Sequence, residues 1–428
     1  MVEIKSNFLE KEYWKGSITI EMKILFLTAH LPLPHFSGGR MREFELIRRL
    51  GKIFEIHLCS VTKTWQMDNN HIDDLRCFCA NIKLFKAARD DKKNCYTYSD
   101  QMKKHESRQA GQYISSLLRN EHFDVVHVEG YYLMQHLPTK IDIPILLVEH
   151  NIECLLSLQR YKLAKTKRER LYYWREYLYT LKWERIFWKR ARICVTLTTE
   201  DKKSLCQLES QLDVRTIPNG IDRVKMKYEL TSSNCNNFLV DDKSYRLLFV
   251  GNFAYEPNID AALYFSDLIF PMILKNVPNT KLLLVGNAPP PQVLSLKSNE
   301  LIKVTGYVDS LSPFYRAADV VICPLRIGGG VKVKILEALA AGKAIVSTSV
   351  GAQGVDWINC KPVIIADDIL DFANKVIWLL LNPNERRKQE QKASSYARNI
   401  PNWNEASEEF ARCYRKILDY RHDFNLIK

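Results

Sequence analysis

Short aliphatic runs recur along this chain, each closing on small or polar residues and each followed by a stretch with helical spacing. In the first half they are Met22–Ala29 (MKILFLTA), Phe54–Val61 (FEIHLCSV), Phe123–Gly130 (FDVVHVEG), Ile143–Asn151 (IPILLVEHN), Cys194–Leu197 and Val214–Ile217. A second series runs through Tyr245–Asn252 (YRLLFVGN), Thr280–Asn287 (TKLLLVGN), Ile302–Thr305, Asp319–Leu325 (DVVICPL), Ala344–Thr348 (AIVST) and Pro362–Ala366 (PVIIA). Runs that are apolar on both faces and separated by helices predict parallel strands covered on both sides. Between the series, 219–243 carries SSNCNN, has no periodicity and reads as a linker. The chain therefore divides into a poorly ordered extension (1–21), a first domain (22–218), the linker, a second domain (244–400) and an amphipathic C-terminal helix (401–428) that is a candidate to return to the first domain. Residues 62–108 are polar and irregular, with a charged cluster at 89–93, and no element is predicted there. The expected fold class is α/β: two Rossmann-like domains facing each other across a cleft at their C-terminal strand edges, where ligands bind.

The stretch Pro324–Gly354, PLRIGGGVKVKILEALAAGKAIVSTSVGAQG, concentrates candidate chemistry. A strand ends at Pro324, three glycines follow, a helical pattern carries Lys334 and Glu337 on one face, and Gly342 closes it. Glycines let a backbone approach an anion, and helix N–H groups point at it. Seven residues from Gly330 to Glu337 span about 10 Å of helix rise, the separation of a diphosphate from a ribose diol. Taken alone, such a turn and a Lys–Glu pair three residues apart also describe an ordinary solvated helix.

Composition narrows the function classes. No run approaches the ~18 apolar residues of a membrane span, and the first 21 residues lack the apolar core of a signal peptide. Eleven scattered cysteines without a C-x-x-C pair fit reduced, mostly buried thiols in a cytoplasmic protein, and argue against zinc. The formal charge is +13, concentrated between Arg160 and Arg192, where tyrosines and tryptophans are interleaved with lysines and arginines. That segment reads as a structural helix presenting a basic surface to an anionic membrane. Nucleic acid is the weakest of its readings, because no binding motif accompanies the charge.

The ordered motifs PHFSGGR, VEHN, IPNGID, VGN with PNIDA, and GYVDSLSPFYRAADVVICPL resemble the retaining, nucleotide-sugar-dependent glycosyltransferases of family 4, with the two-domain GT-B fold. The narrower likeness is to sugar transferases of bacterial surface and exopolysaccharide pathways. The resemblance implies that Glu337 binds the donor ribose diol and that His150 lies near the donor sugar. It implies that Gly38 and Gly39 approach the diphosphate, and that Tyr307 and Val308 hold the base through backbone groups. The first glutamate of the family's E-x7-E motif would fall at Gly329, so the backbone of Gly328, Gly329, Gly330 and Val331 is expected to read the sugar instead. Asn252 stands where the family often has a basic residue, leaving Arg326, Lys332 and above all Lys334 for the diphosphate. Glu129, Glu149 and Asn151, at strand ends, are candidates for the acceptor.

The expected reaction moves a sugar from UDP or GDP, with retention, to a glycan or lipid-linked acceptor. His150, Lys334 and Glu337 are the catalytic candidates. No Asp-x-Asp motif is present, so neither metal nor cofactor is expected, and Lys334 with the helix tip takes the leaving-group charge. The departing phosphate can itself take the acceptor's proton. Three alternatives stay open: a soluble small acceptor, sugar-nucleotide epimerisation, and a nucleotide-sugar-binding scaffold of a polysaccharide complex.

Overall fold

The computed structural model describes residues 22–35, 37–87, 97–222, 243–356 and 358–425. The N-terminal extension, most of the linker and the charged cluster at 89–93 lie outside the described residues. The first sheet has seven parallel strands in the order β3-β2-β1-β4-β5-β6-β7. These are β1 (Lys23–Thr28), β2 (Glu55–Thr62), β3 (Asn81–Lys86), β4 (Val125–Glu129), β5 (Ile145–Glu149), β6 (Ile193–Thr196) and β7 (Val214–Thr216). The second sheet has six, ordered β10-β9-β8-β11-β12-β13: β8 (Tyr245–Val250), β9 (Thr280–Val285), β10 (Ile302–Val304), β11 (Val320–Cys323), β12 (Ala344–Ser347) and β13 (Ile364–Ile365). Both sheets reverse their winding beside the first strand, between β1 and β4 and between β8 and β11. Such a switch point opens a crevice at the carboxyl ends of the strands.

One strand escapes the aliphatic-run signature. β3 pairs in parallel with β2, His57 opposite Asn81, at the edge of the sheet. An edge strand buries little, so NIKLFK keeps exposed Asn81 and Lys83 among its apolar positions.

Alternate residues of β1 point to opposite layers. Ile24 and Phe26 pack with Leu46 of the first helix (Gly38–Leu50) and with Trp403, Phe410, Tyr414 and Ile417 of the C-terminal helix (Trp403–Asn425). Leu25 and Leu27 pack with Ala110, Ile114, Phe187 and Trp188. The C-terminal helix thus crosses from the second sheet to cover the first, and a Cβ on Gly220 would lie 2.5 Å from the Trp403 nitrogen.

The basic segment is a helix hairpin. Helix Lys167–Arg190 opens on a capping box in which the Thr166 hydroxyl accepts from the Glu169 N–H and the Glu169 carboxylate accepts from the Thr166 N–H. The neighbouring helix Glu153–Leu163 has Ile152 at its N-cap, without a side-chain acceptor. Glu184 supplies one from across the hairpin, accepting the Glu153 N–H at 2.7 Å and the Cys154 N–H at 3.2 Å. Phe187 and Trp188 are core residues, whereas Leu171, Trp174 and Leu178 form an exposed apolar stripe at helical spacing.

Candidate functional site

A cleft of about 640 Å³ lies between the two sheets' carboxyl ends. On the second-domain side, the glycine loop 328–330 leads into helix Val333–Ala340, with Gly342 in the left-handed conformation beyond its end. Glu337 faces the cleft and accepts a hydrogen bond from the Tyr315 hydroxyl at 2.9 Å. Lys334, in the helix's first turn, donates to Asn258 Oδ1 at 2.6 Å and sits 4.3 Å from the centre of the Phe249 ring. Burial pushes its amine down to about 8, the nearby Cys323 and Glu337 offsetting only part of that. Lys332 turns back on its own loop and donates to the Gly329 and Gly330 carbonyls at 2.8 Å each. Burial likewise lowers it to about 8. Lys334 makes no ion pair among the described residues, so an arriving diphosphate would meet an ammonium that burial disfavours and an anion restores.

The first-domain wall is charged differently. His150, in the loop after β5, places Nε2 2.7 Å from Glu129 Oε2, and Glu129 Oε1 lies 2.8 Å from His127 Nε2. Burial alone would raise the Glu129 carboxyl; the two histidines outweigh it and hold it well below the usual carboxylate range. Glu43 of the first helix is also buried, and burial with the neighbouring Glu129 charge pushes its carboxyl well above that range. His30 Nε2 is 3.1 Å from Glu43 Oε2, and burial lowers that imidazole to about 3. Ligand atoms of Glu43, Glu129 and His150 lie within 4.8 Å of one another, the trio among the described residues with metal-like proximity. Burial pushes Glu43 toward its neutral form, two histidines flank Glu129, and buried Arg42 acts on both carboxyls. Those surroundings are a close-packed cluster of carboxyls, imidazoles and a guanidinium, with one hydrogen bond between His127 and Glu129, rather than an anionic cage.

The walls touch at the glycine loop. Gly328 donates its N–H to Gln159 Oε1 at 2.9 Å and accepts from Gln159 Nε2 at 3.2 Å. Across the same contact the Asp201 carboxylate of the first domain accepts from Gln353 of the second at 2.9 Å. Gly330 has φ +64°, and a Cβ there would lie 2.2 Å from the His150 carbonyl oxygen. At Gly329 a Cβ would meet Asn151 Oδ1 at 3.0 Å, and at Gly38 it would strike Val333 at 2.6 Å. At Gly330 the two domains approach backbone to backbone, and at Gly329 and Gly38 a side chain of the other domain fills the space a Cβ would take.

Most residues singled out in the sequence converge on this cleft. Gly38, Gly39, Glu149, His150, Asn151, Asn252, Tyr307, Val308, Gly328, Gly329, Val331, Lys332, Lys334 and Glu337 all line it. Glu129 does not; it stands one layer behind His150. Glu149 is buried and receives the Trp188 indole N–H at 2.8 Å, a structural contact. Arg326 lies away from the lining, its guanidinium paired with Asp260 and packed 4.5 Å over the Tyr264 ring, so its charge is neutralised outside the cleft. Asn252 caps its own turn by accepting the Ala254 N–H at 3.1 Å. Sequence reading missed Tyr315, Gln159, Glu43 and His127. Tyr315 was within reach, being in the segment that ends at β11; the other three reach the site only through the fold.

A family model described as Glycosyltransferase Family 4 matches residues 93–225, and one described as Glycosyl transferases group 1 matches residues 244–382. An uncharacterized 44.6 kDa protein in the cps region of Klebsiella pneumoniae is 31% identical over 139 residues, which is 31% of this chain and 36% of the relative. The chain thus matches about a third of the length of that curated relative. Sucrose-phosphate synthase from Thermosynechococcus elongatus superposes with a TM-score of 0.68 at 15% identity, covering 93% of this chain and all of that one. HepE from Anabaena, solved with UDP and glucose, gives 0.62 at 11% identity over 92% of this chain and 99% of its own. WaaG, a glycosyltransferase involved in lipopolysaccharide biosynthesis, gives 0.61 at 16% over 91% and 99%. At these identities the structural likeness is one of fold, and that fold is GT-B.

Proposed function

The chain belongs to the family 4, group 1 glycosyltransferases of the GT-B fold, and we propose that it moves a sugar from a nucleoside diphosphate to a glycan or lipid-linked acceptor with retention of configuration. The observation that carries this reading is the pairing of Glu337, steadied by the Tyr315 hydroxyl, with Lys334 one helical turn away on the same cleft wall. In the proposal Glu337 accepts both ribose hydroxyls, and Lys334 with the first turn of its helix stabilises charge developing on the leaving diphosphate. His150 faces the donor sugar from the opposite wall, where Asn151 occupies the space beside Gly329. The sugar hydroxyls that a glutamate there would meet are instead met by Asn151 and by His150. No step is assigned to a metal. UDP is favoured over GDP by the HepE complexes, and a surface-glycan acceptor by the cps-region relative.

The membrane reading of the basic segment is part of the same proposal. Leu171, Trp174 and Leu178 are exposed in line on helix Lys167–Arg190, flanked by exposed Lys165, Lys167, Arg168, Arg170 and Arg175. No described helix is long and apolar enough to cross a membrane. An apolar stripe with a basic border suits the surface of an anionic bilayer, which would bring a lipid-linked acceptor to the cleft. One observation favours the scaffold reading instead: Gln159 occupies the Gly328 N–H of the glycine loop that a donor would use.

A thermal-shift screen across UDP- and GDP-sugars, followed by slow hydrolysis of the stabilising donor, tests the proposal. Hydrolysis abolished by Glu337→Ala supports transfer chemistry; stabilisation without turnover against any acceptor extract supports the scaffold. Sedimentation with phosphatidylglycerol vesicles, lost when the basic residues from Lys165 to Arg170 are neutralised, supports a membrane-borne acceptor.

A further inference from the structure

Behind His150 runs a buried chain of polar groups that ends on the last helix of the protein. His127 Nδ1 lies 2.5 Å from the Tyr414 hydroxyl, His127 Nε2 2.8 Å from Glu129 Oε1, and Glu129 Oε2 2.7 Å from His150 Nε2. Tyr414, His127 and Glu129 are each at most 1% exposed, so water reaches none of them. The His127 ring stacks on Phe26 at 3.9 Å and abuts Phe410 at 5.4 Å, which fixes its plane.

The protonation states give this chain a direction. Burial pushes the Tyr414 hydroxyl up, so it keeps its proton and donates to His127 Nδ1. Burial pushes His127 down; a neutral imidazole has a single N–H, which must then sit on Nε2 and donate to Glu129. Glu129 is ionised and turns its second oxygen toward His150. That contact is close without being aligned as a hydrogen bond. A carboxylate so placed favours hydrogen on His150 Nε2 and leaves Nδ1 as the ring nitrogen available to a ligand. The other charged or titratable groups facing this carboxylate are Arg42, Glu43 and, beyond Glu43, His30 and Arg40.

We infer that Glu129, His127 and Tyr414 are positioning residues for His150, fixing its ring orientation and tautomer so that Nδ1 is presented to a hydroxyl of the donor sugar. The inference rests on the donor site proposed above. It gives the C-terminal helix a role beyond covering the first sheet: the helix supplies the terminal donor of the chain. A side chain that only filled this space could be a phenylalanine; the tyrosine adds a buried hydroxyl, and that hydroxyl meets His127 Nδ1.

The test uses the full-length chain labelled with ¹⁵N-histidine, with His150 assigned by comparison with His150→Gln. Long-range ¹H–¹⁵N imidazole correlations should show wild-type His150 in the Nε2–H form. In Tyr414→Phe, which keeps the ring and its packing, His127 Nδ1 loses its donor, so the imidazole is held only through its bond to Glu129 and sets the orientation of that carboxylate less firmly. The His150 signals should then move toward mixed tautomers and its titration midpoint should shift. Donor hydrolysis should fall in kcat by about tenfold, the effect of losing a hydrogen bond of about 1–1.5 kcal/mol, with the donor KM within about twofold. Glu129→Gln should move the same readouts further. Unchanged His150 signals and pH profile in Tyr414→Phe, with only a lowered Tm, would overturn the inference. If the wild type turns over no nucleotide sugar, the proposed function fails, and the imidazole spectra still decide the relay.

Discussion

The second-domain wall of the cleft takes its glycines, its lysines and Glu337 from one loop and one helix, whereas the first-domain wall, with the groups behind it, gathers Glu43, Glu129, His150 and Tyr414 from four separate elements. Their electrostatics differ as much as their construction. Lys332 and Lys334 are held near 8 by burial, with carbonyl or amide oxygens as their hydrogen-bond partners. Facing them, the Glu129 carboxylate is flanked by two histidines and burial pushes Glu43 toward its neutral form. One wall therefore still lacks an anion, and the other has settled its own charge. In the proposed donor complex the diphosphate meets the first kind of wall, and an uncharged, hydroxyl-bearing sugar meets the second.

The largest expected effect breaks the donor wall at Glu337. Two hydrogen bonds from ribose hydroxyls to a carboxylate contribute about 1.5–3 kcal/mol each, so Glu337→Ala should cost roughly 10²- to 10⁴-fold in kcat/KM for donor hydrolysis. Tyr315→Phe leaves the carboxylate but removes its 2.9 Å donor, and about tenfold is expected from a single such bond. Equal losses in the two variants would mean that Tyr315, rather than the ribose, is what Glu337 serves.

Gly330→Ala comes next because it strikes both walls at once. A left-handed backbone costs an alanine about 1–2 kcal/mol, and its Cβ would sit 2.2 Å from the His150 carbonyl oxygen. The loop must withdraw from His150, so donor hydrolysis should fall by about 10²-fold or more while Tm drops by a few degrees. Far-ultraviolet circular dichroism unchanged beside lost activity would locate the damage at the interface between the walls; full activity would show that the two walls need not meet.

How much was legible in advance follows the same division. The alternation of aliphatic runs and helical stretches gave the two sheets, because strands buried on both faces leave a continuous apolar signature. Glu337 and Lys334 were legible because helix geometry turns a three-residue spacing into adjacency. Arg326 stood in the sequence as a candidate beside the better-placed Lys334, but Asp260 on a preceding helix pairs with it, and nothing local announces that partner. His127 sits in an ordinary strand run, and only the return of the C-terminal helix to the first sheet brings the Tyr414 hydroxyl to its ring. β3 stayed hidden because an edge strand need not be apolar.

A pH titration sharpens the electrostatic contrast. The free protein holds Lys334 at about 8, below its ordinary 10.5, because burial disfavours the ammonium. A bound diphosphate favours the ammonium, so binding takes up a proton wherever the free amine is neutral. Donor affinity should therefore be level below about pH 8 and fall by up to tenfold for each pH unit above it. Lys334→Met should weaken binding at neutral pH and flatten this limb. Lys332→Met, whose amine holds the Gly329 and Gly330 carbonyls, should weaken binding at all pH values and keep the limb. Isothermal titration calorimetry in buffers of different ionisation enthalpy measures the proton uptake directly.

The smallest effect concerns the clasp between the walls. Gln159 makes two neutral hydrogen bonds to Gly328, each contributing about 1 kcal/mol at most in a partly solvated setting. Gln159→Ala should leave Tm nearly unchanged and raise the donor KM by about two- to fivefold, because closing the loop against the first domain then rests on Asp201 and the glycine contacts alone. A lower KM would reverse the assignment, since it would mean that Gln159 competes with the diphosphate for the Gly328 N–H. Small-angle scattering separates these outcomes. A clasp that holds the walls together predicts a larger radius of gyration in the ligand-free variant, restored to the wild-type value by donor, whereas a competitor predicts no change in the ligand-free shape.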